Sequence, residues 1–194
     1  MAFVANPDSR TSRSRARILD AAEVIFRETG YETATVRAIA VRAGLTRKTV
    51  YNHFVSKEAI ADEVIALSGA QAERLYGPAI LSREPALNIL TTILSDSAKW
   101  SAANPDLARR ALLPRNRPTV LPARKTSFQG VVIDAIRLGQ SQGVIRRDED
   151  AGFRSLVLLG LYAQAMLSAL DADEPEWNDV KRIVRIVVEG IGVR

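Results

Sequence analysis

The chain has 194 residues, of which 47% are hydrophobic and 25% are charged, so it is long enough for a small and a medium domain with real cores. It holds no cysteine and one histidine, His53, which argues against a disulfide framework, a thiolate catalyst and a cysteine or histidine metal site. The formal net charge of +5 is uneven, because residues 1–60 hold ten basic and six acidic side chains while the other 134 hold seventeen and sixteen. A basic surplus at the front of the chain favours a nucleic-acid partner there, and we predict no metal and no cofactor.

Membrane insertion is not expected. The N-terminus has no apolar run of the kind found in secretory signals. The most apolar segment, Ser155–Leu170, is predicted to be too short to span a bilayer, and it contains Gln164. We therefore expect a cytoplasmic protein with no membrane partner.

The first predicted helix runs from about Ser14 to Thr29 and ends at Gly30. Its buried stripe is predicted at Ile18, Ala22, Ile25 and Phe26. Four arginines precede or open this helix: Arg10, Arg13, Arg15 and Arg17. They are consistent with a solvated helix start and equally with contacts to DNA phosphates or to the minor groove, so both interpretations stay open.

Two short helices are predicted next, at Thr35–Arg42 and Thr46–Asn52. Residues 43–45 join them, and Gly44 is placed where a left-handed residue ends the first helix. Thr46 follows at the position where a side-chain oxygen caps the second helix. Two helices joined by a short turn containing glycine form a helix-turn-helix.

The charge pattern of this helix pair agrees with DNA binding. No Asp or Glu occurs between Glu32 and Glu58. The basic residues in that gap are Arg37, Arg42, Arg47, Lys48 and Lys57. A surface that approaches DNA phosphates carries Lys and Arg and lacks carboxylates. The alternative is a solvated basic face on an ordinary helix pair.

Four short motifs follow one another here: Thr35-Val-Arg-Ala-Ile-Ala, Gly44-Leu-Thr, Thr49-Val-Tyr-Asn-His-Phe and Ser56-Lys-Glu-Ala. Before them stands Ile18-Leu-Asp-Ala-Ala-Glu-Val-Ile-Phe-Arg-Glu-Thr-Gly-Tyr. Over residues 13–65 the chain thus resembles the N-terminal domain of the tetracycline-repressor (TetR) family of transcriptional regulators. It departs from the family at Ala38, where relatives often carry an acidic residue near the helix start.

The resemblance implies that the second helix of the pair enters the major groove. Arg47, Lys48 and Thr49 stand at its start. Arg47 is predicted to contact guanine O6 and N7 bidentately, and Lys48 a guanine or a phosphate.

Further contacts are predicted at the DNA backbone, from Tyr51, His53, Lys57, Thr35, Thr46 and Arg37. The first three match family positions that touch the backbone. Thr35 and Thr46 are helix caps first, and helix N-termini also attract phosphate. For Tyr51 the alternative is core packing, and for His53 it is a structural side chain that closes the helix end.

From residue 56 onward the pattern predicts helices alone. Ser56 caps a helix of about Lys57–Tyr76 that Gly77-Pro78 ends, and Asn104 caps a helix that starts at Pro105. The other predicted elements are a helix from Pro85, a loop with Pro114, Pro118 and Pro122, and helices at Ala123–Ser141 (before Gly143), Asp150–Leu170 and Pro175–Gly190. We therefore predict an all-α fold of about nine helices. It comprises a DNA-binding domain of three helices at residues 1–58 and a ligand-binding and dimerisation domain at 59–194.

The last two predicted helices are apolar on more than one side. They pack either inside a monomer or against a symmetry mate, as a four-helix interface. In the family the final two helices dimerise, so the resemblance implies a homodimer whose two helix-turn-helices read two half-sites. The predicted interface residues are Phe153, Leu156, Gly160, Ala163, Leu167, Trp177, Val180, Val184 and Val187.

The resemblance also implies a ligand-responsive repressor that binds a near-palindromic operator in double-stranded DNA and is released by an unknown small-molecule effector. Candidate pocket residues are Trp100, Phe128, Tyr162, Gln164 and Met166, each of which also fits ordinary core or interface packing. No nucleophile elbow, phosphate loop or metal-ligand spacing points to an enzyme. The rival class is a helical small-molecule carrier or interaction module.

Overall fold

The computed structural model describes residues 10–113 and 127–171, together with two isolated positions, 182 and 186. All regular structure in these residues is helical, which confirms the all-α prediction. The helices are α1 (Arg10–Thr29), α2 (Val36–Arg42), α3 (Arg47–His53), α4 (Lys57–Leu81), α5 (Ala86–Ala103), α6 (Pro105–Leu112), α7 (Phe128–Ser141) and α8 (Ala151–Asp171). The predicted proline loop at 114–122 and, apart from positions 182 and 186, the predicted last helix lie outside the described residues.

The chain divides into two compact units, an N-terminal unit (Met1–Ala66) and a C-terminal unit (Leu67–Arg194). The division falls inside α4, so this helix contributes residues to both units. We predict a domain boundary after residue 58, at the start of the same helix, and that position stays a prediction.

The core of the N-terminal unit lies between α1, α2, α3 and the start of α4. The predicted stripe of α1 is buried, and α1 itself begins at Arg10, earlier than predicted. Ile39 of α2, Val50 of α3 and Ile60 of α4 have no exposed surface. This small core holds the helix-turn-helix against α1, which fixes the orientation of α3.

The core of the C-terminal unit is larger and almost wholly aliphatic. Helix α7 contacts both α5 and α8. The buried residues of this core include Leu90, Ile93 and Leu94 of α5, Val132 and Ile136 of α7, and Leu158, Tyr162 and Met166 of α8. Burial of this many apolar side chains supplies the main driving force for folding of the unit.

Two predicted helix boundaries are wrong. Helix α4 continues through Gly77-Pro78 to Leu81, because Pro78 lacks only one donor and the N–H of Ser82 still bonds to its carbonyl at 2.9 Å. Helix α7 does not begin at 123, because Ser127 is extended and its Oγ accepts the N–H of Gly130 at 3.0 Å. Its predicted end is confirmed, with Gly143 at a φ of +76° just beyond.

The predicted cap of α6 is also wrong. Pro105 does open α6, but the Asn104 side chain makes no capping hydrogen bond to it. Its amide nitrogen instead donates to the carbonyl of Trp100 at 2.9 Å, at the end of α5. Asn104 therefore closes the helix before it rather than capping the helix after it.

Helix α8 agrees with the predicted helix at Asp150–Leu170 to within one residue at each end. It has 21 residues and by length and composition alone is long and apolar enough to cross a bilayer. The apolar segment Ser155–Leu170 lies within this longer helix, so the prediction that length excludes a span is wrong. One side of α8 packs in the core of the C-terminal unit, with Leu158, Tyr162 and Met166 buried.

Candidate nucleic-acid interface

The helix-turn-helix forms through the local contacts that its sequence predicts. Thr35 caps α2, accepting the N–H of Ala38 at its Oγ1 at 3.1 Å. Gly44 has a φ of +62°. The turn is closed by the N–H of Leu45, which bonds to the carbonyl of Ala40 at 2.9 Å. Helix α2 therefore ends in the left-handed glycine turn that the pattern indicates.

Thr46 caps α3 in the same way. Its Oγ1 accepts the N–H of Thr49 at 3.1 Å, and the two threonine hydroxyl oxygens lie 2.9 Å apart. Both predicted caps are thus confirmed as caps. Whether their hydroxyl groups also meet phosphate stays a prediction.

The start of α3 presents its basic side chains to solvent. Arg47 and Lys48 are exposed, while Val50 and Phe54 on the other side of α3 are buried. Tyr51 is 46% exposed, and its ring centroid lies 5.9 Å from the Arg47 guanidinium carbon. Tyr51 is therefore a surface residue of the same face as Arg47 rather than a core residue.

The remaining predicted contacts lie around this face. Thr35, the N-cap of α2, and Arg37 in its first turn are exposed, and His53 is half-buried in the last turn of α3. Arg42 forms an ion pair with Glu28 of α1 at 3.1 Å. Neither α2 nor α3 carries an acidic side chain, so the surface keeps the charge that a polyanion requires.

Lys57 is engaged within the protein. Its Nζ donates to the carbonyls of Tyr31 at 2.7 Å and Glu32 at 3.1 Å, and it lies 4.4 Å from the Tyr31 ring centroid. An ammonium group has three donors, so one is left for a phosphate. The Tyr31 hydroxyl in turn donates to Glu58 at 3.1 Å, and backbone, Ser56 and Tyr31 hydrogen bonds lower the pKa of Glu58. Together these bonds fasten the start of α4 to the turn between α1 and α2.

Two arginines of α1 have structural roles that the sequence does not reveal. Nη2 of Arg17 donates to the carbonyls of Ala43 and Gly44, at the α2–α3 turn. Arg15 pairs with Glu63 at 2.9 Å and lies over the Phe54 ring at 4.9 Å. The partners of Arg17 are 26 and 27 residues away in sequence, so no local pattern predicts them.

In the C-terminal unit, α8 carries an exposed apolar face. Four large apolar residues and one glycine share this face at helical spacing: Phe153, Leu156, Val157, Gly160 and Leu161. The predicted interface residues Ala163 and Leu167 are half-buried beside it. Trp177, Val180, Val184 and Val187 lie outside the described residues.

The candidate pocket residues do not form one group. Tyr162 and Met166 are buried, Phe128 is partly buried against the same core, and Trp100 is half-buried. Gln164 is exposed, four residues after Gly160 on the outer face of α8. The structure therefore separates Gln164 from Tyr162 and Met166.

A short row of polar residues, called the polar seam below, crosses this apolar core: Tyr162 of α8, Ser97 and Ser101 of α5, and Asn104 at the end of α5. The Tyr162 hydroxyl donates to the Leu94 carbonyl at 3.3 Å, and burial raises the pKa of Tyr162 to about 12, against the opposing effect of hydrogen bonds with Ser97 and Ser101. Asn104 follows on the same face of α5. Within the described residues its buried Oδ1 has no hydrogen-bond partner. A buried acceptor of this kind is costly unless a donor reaches it.

Comparison with known proteins gives consistent similarities. Residues 18–64 match the family described as "Bacterial regulatory proteins, tetR family". The HTH-type transcriptional repressor Rv1474c of Mycobacterium tuberculosis is 30% identical over 185 residues, which cover 87% of this chain and 93% of that protein. The HTH-type transcriptional regulator UidR of Escherichia coli K12 is 26% identical over 178 residues, 87% of each chain. Among solved structures, FadR of Thermus thermophilus in complex with lauroyl-CoA has a similar fold, with a TM-score of 0.71 and 22% identity over 93% of this chain and 96% of that one.

Proposed function

Because the chain belongs to the tetR family of bacterial regulatory proteins, we propose that it represses transcription by holding α3 in the major groove of an operator until a small molecule releases it. The protein is a DNA-binding transcriptional regulator. The observation that carries the proposal is the exposed start of α3, where Arg47 and Lys48 project from a helix pair without a carboxylate.

The base-reading role falls to Arg47. Its guanidinium has the geometry to meet guanine O6 and N7, a contact that supplies about 1–3 kcal/mol of discrimination against a wrong base. Lys48, Tyr51 and Arg37 are exposed beside it. They supply contacts to the DNA backbone, which position the protein on the duplex without reading the base sequence. Lys57 and His53 contribute at the edge of this surface.

We propose a two-fold dimer formed through the exposed face of α8. Phe153 and Leu156 are each 52% exposed, and Gly160 in the same row allows close approach of a partner helix. Contiguous apolar surface on a helix marks an interface. A dimer presents two copies of α3, as half-sites about 34–36 Å apart require.

The effector site that we propose lies in the C-terminal unit, at the polar seam of Tyr162, Ser101 and Asn104. The aliphatic core around the seam favours a largely apolar molecule. The Oδ1 of Asn104, which has no hydrogen-bond partner among the residues that the structure describes, favours a molecule with a hydrogen-bond donor. FadR of Thermus thermophilus holds lauroyl-CoA, and for this chain we likewise propose a molecule with an extended apolar part. Release then follows from the effector's preference for the state that binds DNA poorly, with α4 as the shared element.

Selection of duplexes from a random pool by the full chain tests the DNA-binding proposal. A dimeric regulator should enrich a near-palindrome, whereas a carrier or interaction module would enrich no motif. Since a regulator of this kind acts on the chromosome, we place the protein in the cytoplasm and assign it no catalytic activity.

Analytical ultracentrifugation of two aspartate variants tests the dimer. Leu156→Asp places charge on the proposed interface and should give a monomer at concentrations where the wild type is a dimer. Leu81→Asp is the matched control, because Leu81 is an exposed leucine of a different helix, 84% exposed at the end of α4. A wild type that stays monomeric at high concentration, or equal behaviour of the two variants, would contradict the proposed interface.

A further inference from the structure

The first turn of α1 has the wrong charge for a helix start. Arg10 and Arg13 both lie in it, and the turn holds no acidic residue. The N-terminus of a helix carries partial positive charge, so cations there are unfavourable. Both side chains are exposed, and neither has an ion-pair partner within the described residues. A local arrangement that costs stability is commonly retained for function.

The position of these two arginines follows from Arg17. At 3.6 residues per turn, Arg10, Arg13 and Arg17 lie within an arc of about 60° on α1. Arg17 bonds to the carbonyls of Ala43 and Gly44, so this face of α1 continues from the α2–α3 turn. Arg15 points to the other side of α1, where it pairs with Glu63.

The basic residues extend along α1 away from the α2–α3 turn. Arg13 and Arg10 lie about 6 and 10.5 Å beyond Arg17 along the helix axis, so a duplex that contacts the turn can also meet guanidinium groups further along this face. No acidic residue occurs from Arg10 to Arg17, and the first one on this face is Asp20, one turn further on. The cationic stretch is therefore continuous, and guanidinium groups bind phosphate oxygens bidentately.

We propose that Arg10 and Arg13 form a second DNA contact site, which binds backbone phosphates beside the bases that α3 reads. Arg17 is the positioning residue, because it ties this part of α1 to the α2–α3 turn. This inference rests on the proposed function, since it needs the N-terminal unit to dock on duplex DNA. It adds sequence-independent affinity and leaves base preference to α3.

The test compares Arg13→Ala with Arg27→Ala in the full chain. Arg27 is an exposed arginine in the last turn of the same helix, about 21 Å from Arg13 along the axis, so its variant removes the same charge from the same element. Binding of each variant to the enriched duplex and to a scrambled duplex is measured by fluorescence anisotropy at several salt concentrations.

In a dimer Arg13→Ala removes two phosphate contacts, so the slope of log K against log salt should be smaller by about 1.8. The affinity advantage of the wild type should then shrink about twelvefold between about 50 and 200 mM salt, equally on both duplexes. Arg27→Ala should keep the wild-type slope. The melting temperature of Arg13→Ala should not fall, since the substitution removes a cation from a positive helix end.

An unchanged slope for Arg13→Ala would overturn this inference alone, provided that the wild type binds the enriched duplex. Equal slope losses for Arg13→Ala and Arg27→Ala would also overturn it, because they would indicate a general charge effect. A wild type that enriches no duplex and binds neither probe would overturn the proposed function together with this inference.

Discussion

Replacing Gly44 with alanine should destabilise the α2–α3 turn through two separate effects. The first is the backbone, because Gly44 has a φ of +62°, where an L-residue with a Cβ is strained. The second is the Arg17 guanidinium, because a Cβ at position 44 would lie 2.6 Å from its Nη2. The flexible end of Arg17 has to move, and it then gives up its bonds to the turn carbonyls.

The two effects differ in size and can be separated. The left-handed conformation costs an L-residue roughly 1–2 kcal/mol. Of the two Arg17 hydrogen bonds, the shorter one, to the Ala43 carbonyl, is the one that counts, and it contributes about 0.5–1.5 kcal/mol. Gly44→Ala should therefore cost about 1.5–3.5 kcal/mol in total. Gly143→Ala is the matched control, because Gly143 has a φ of +76° and a Cβ there meets nothing within 4 Å. It should show the backbone cost alone.

Native-state hydrogen exchange measures the loss of stability in each variant. For the N-terminal unit it is read at the backbone amides of Ile39 and Val50, and for the Gly143→Ala control at the amide of Ile136.

A double variant tests whether the Arg17 contact and Gly44 are coupled. The bond between Arg17 and the turn can be lost only once, so Arg17→Ala/Gly44→Ala should be less destabilised than the sum of the single variants, by about 0.5–1.5 kcal/mol. Additivity of the two substitutions within about 0.3 kcal/mol would refute the proposed coupling.

Three other variants test the interface and the C-terminal unit. Lys57→Ala should lower the stability of the N-terminal unit by about 1–2 kcal/mol in hydrogen exchange, because two carbonyls lose their donor. It should also weaken binding to specific and to random DNA equally. An unchanged stability would contradict the role of Lys57 in fastening α4. Arg47→Ala should cost roughly 1–3 kcal/mol on the enriched duplex and relax one base position in a repeated selection, and an equal loss on random DNA would remove the base-reading role. In urea unfolding, Asp96→Asn should be less stable than the wild type near neutral pH, and this difference in unfolding free energy should disappear at low pH. Hydrogen bonds from Lys99 and then Tyr76 lower the pKa of Asp96 below its usual 3.8, so the carboxylate contributes stability above pH 3.8 that disappears as the pH falls through the lower folded value; a difference that grows on acidification would contradict this.

Local signals predicted the helix-turn-helix because they act within one turn of the chain. The Thr35 and Thr46 caps bond to amides three residues later, and the Gly44 turn bonds within five residues. Local signals failed where a neighbouring group offered an alternative. Helix α4 continues through Pro78 because only one backbone donor is missing. The Asn104 side chain bonds to the carbonyl of Trp100 in the preceding helix instead of capping the following one.

Helix α8 shows the limit of periodicity in the same chain. The sequence shows that more than one side is apolar, but both sides satisfy the same helical spacing. Packing against α7 and α5 decides that Leu158, Tyr162 and Met166 are buried and that Phe153 and Leu156 are exposed. The exposed apolar residues of α8, such as Phe153 and Leu156, therefore identify the side of the helix that is the candidate interface.

The sequence by itself determined the all-α class, the two short helices with their caps and turn, and the basic surface free of carboxylates, because each depends on residues within a few positions of one another. Only the tertiary structure decided that Arg17 binds the α2–α3 turn, that Lys57 binds the α1–α2 turn, and which side of α8 is exposed. These contacts join residues 26 or more positions apart or depend on which helices pack together. Their partners are selected by the closure of the whole core rather than by local conformational preference.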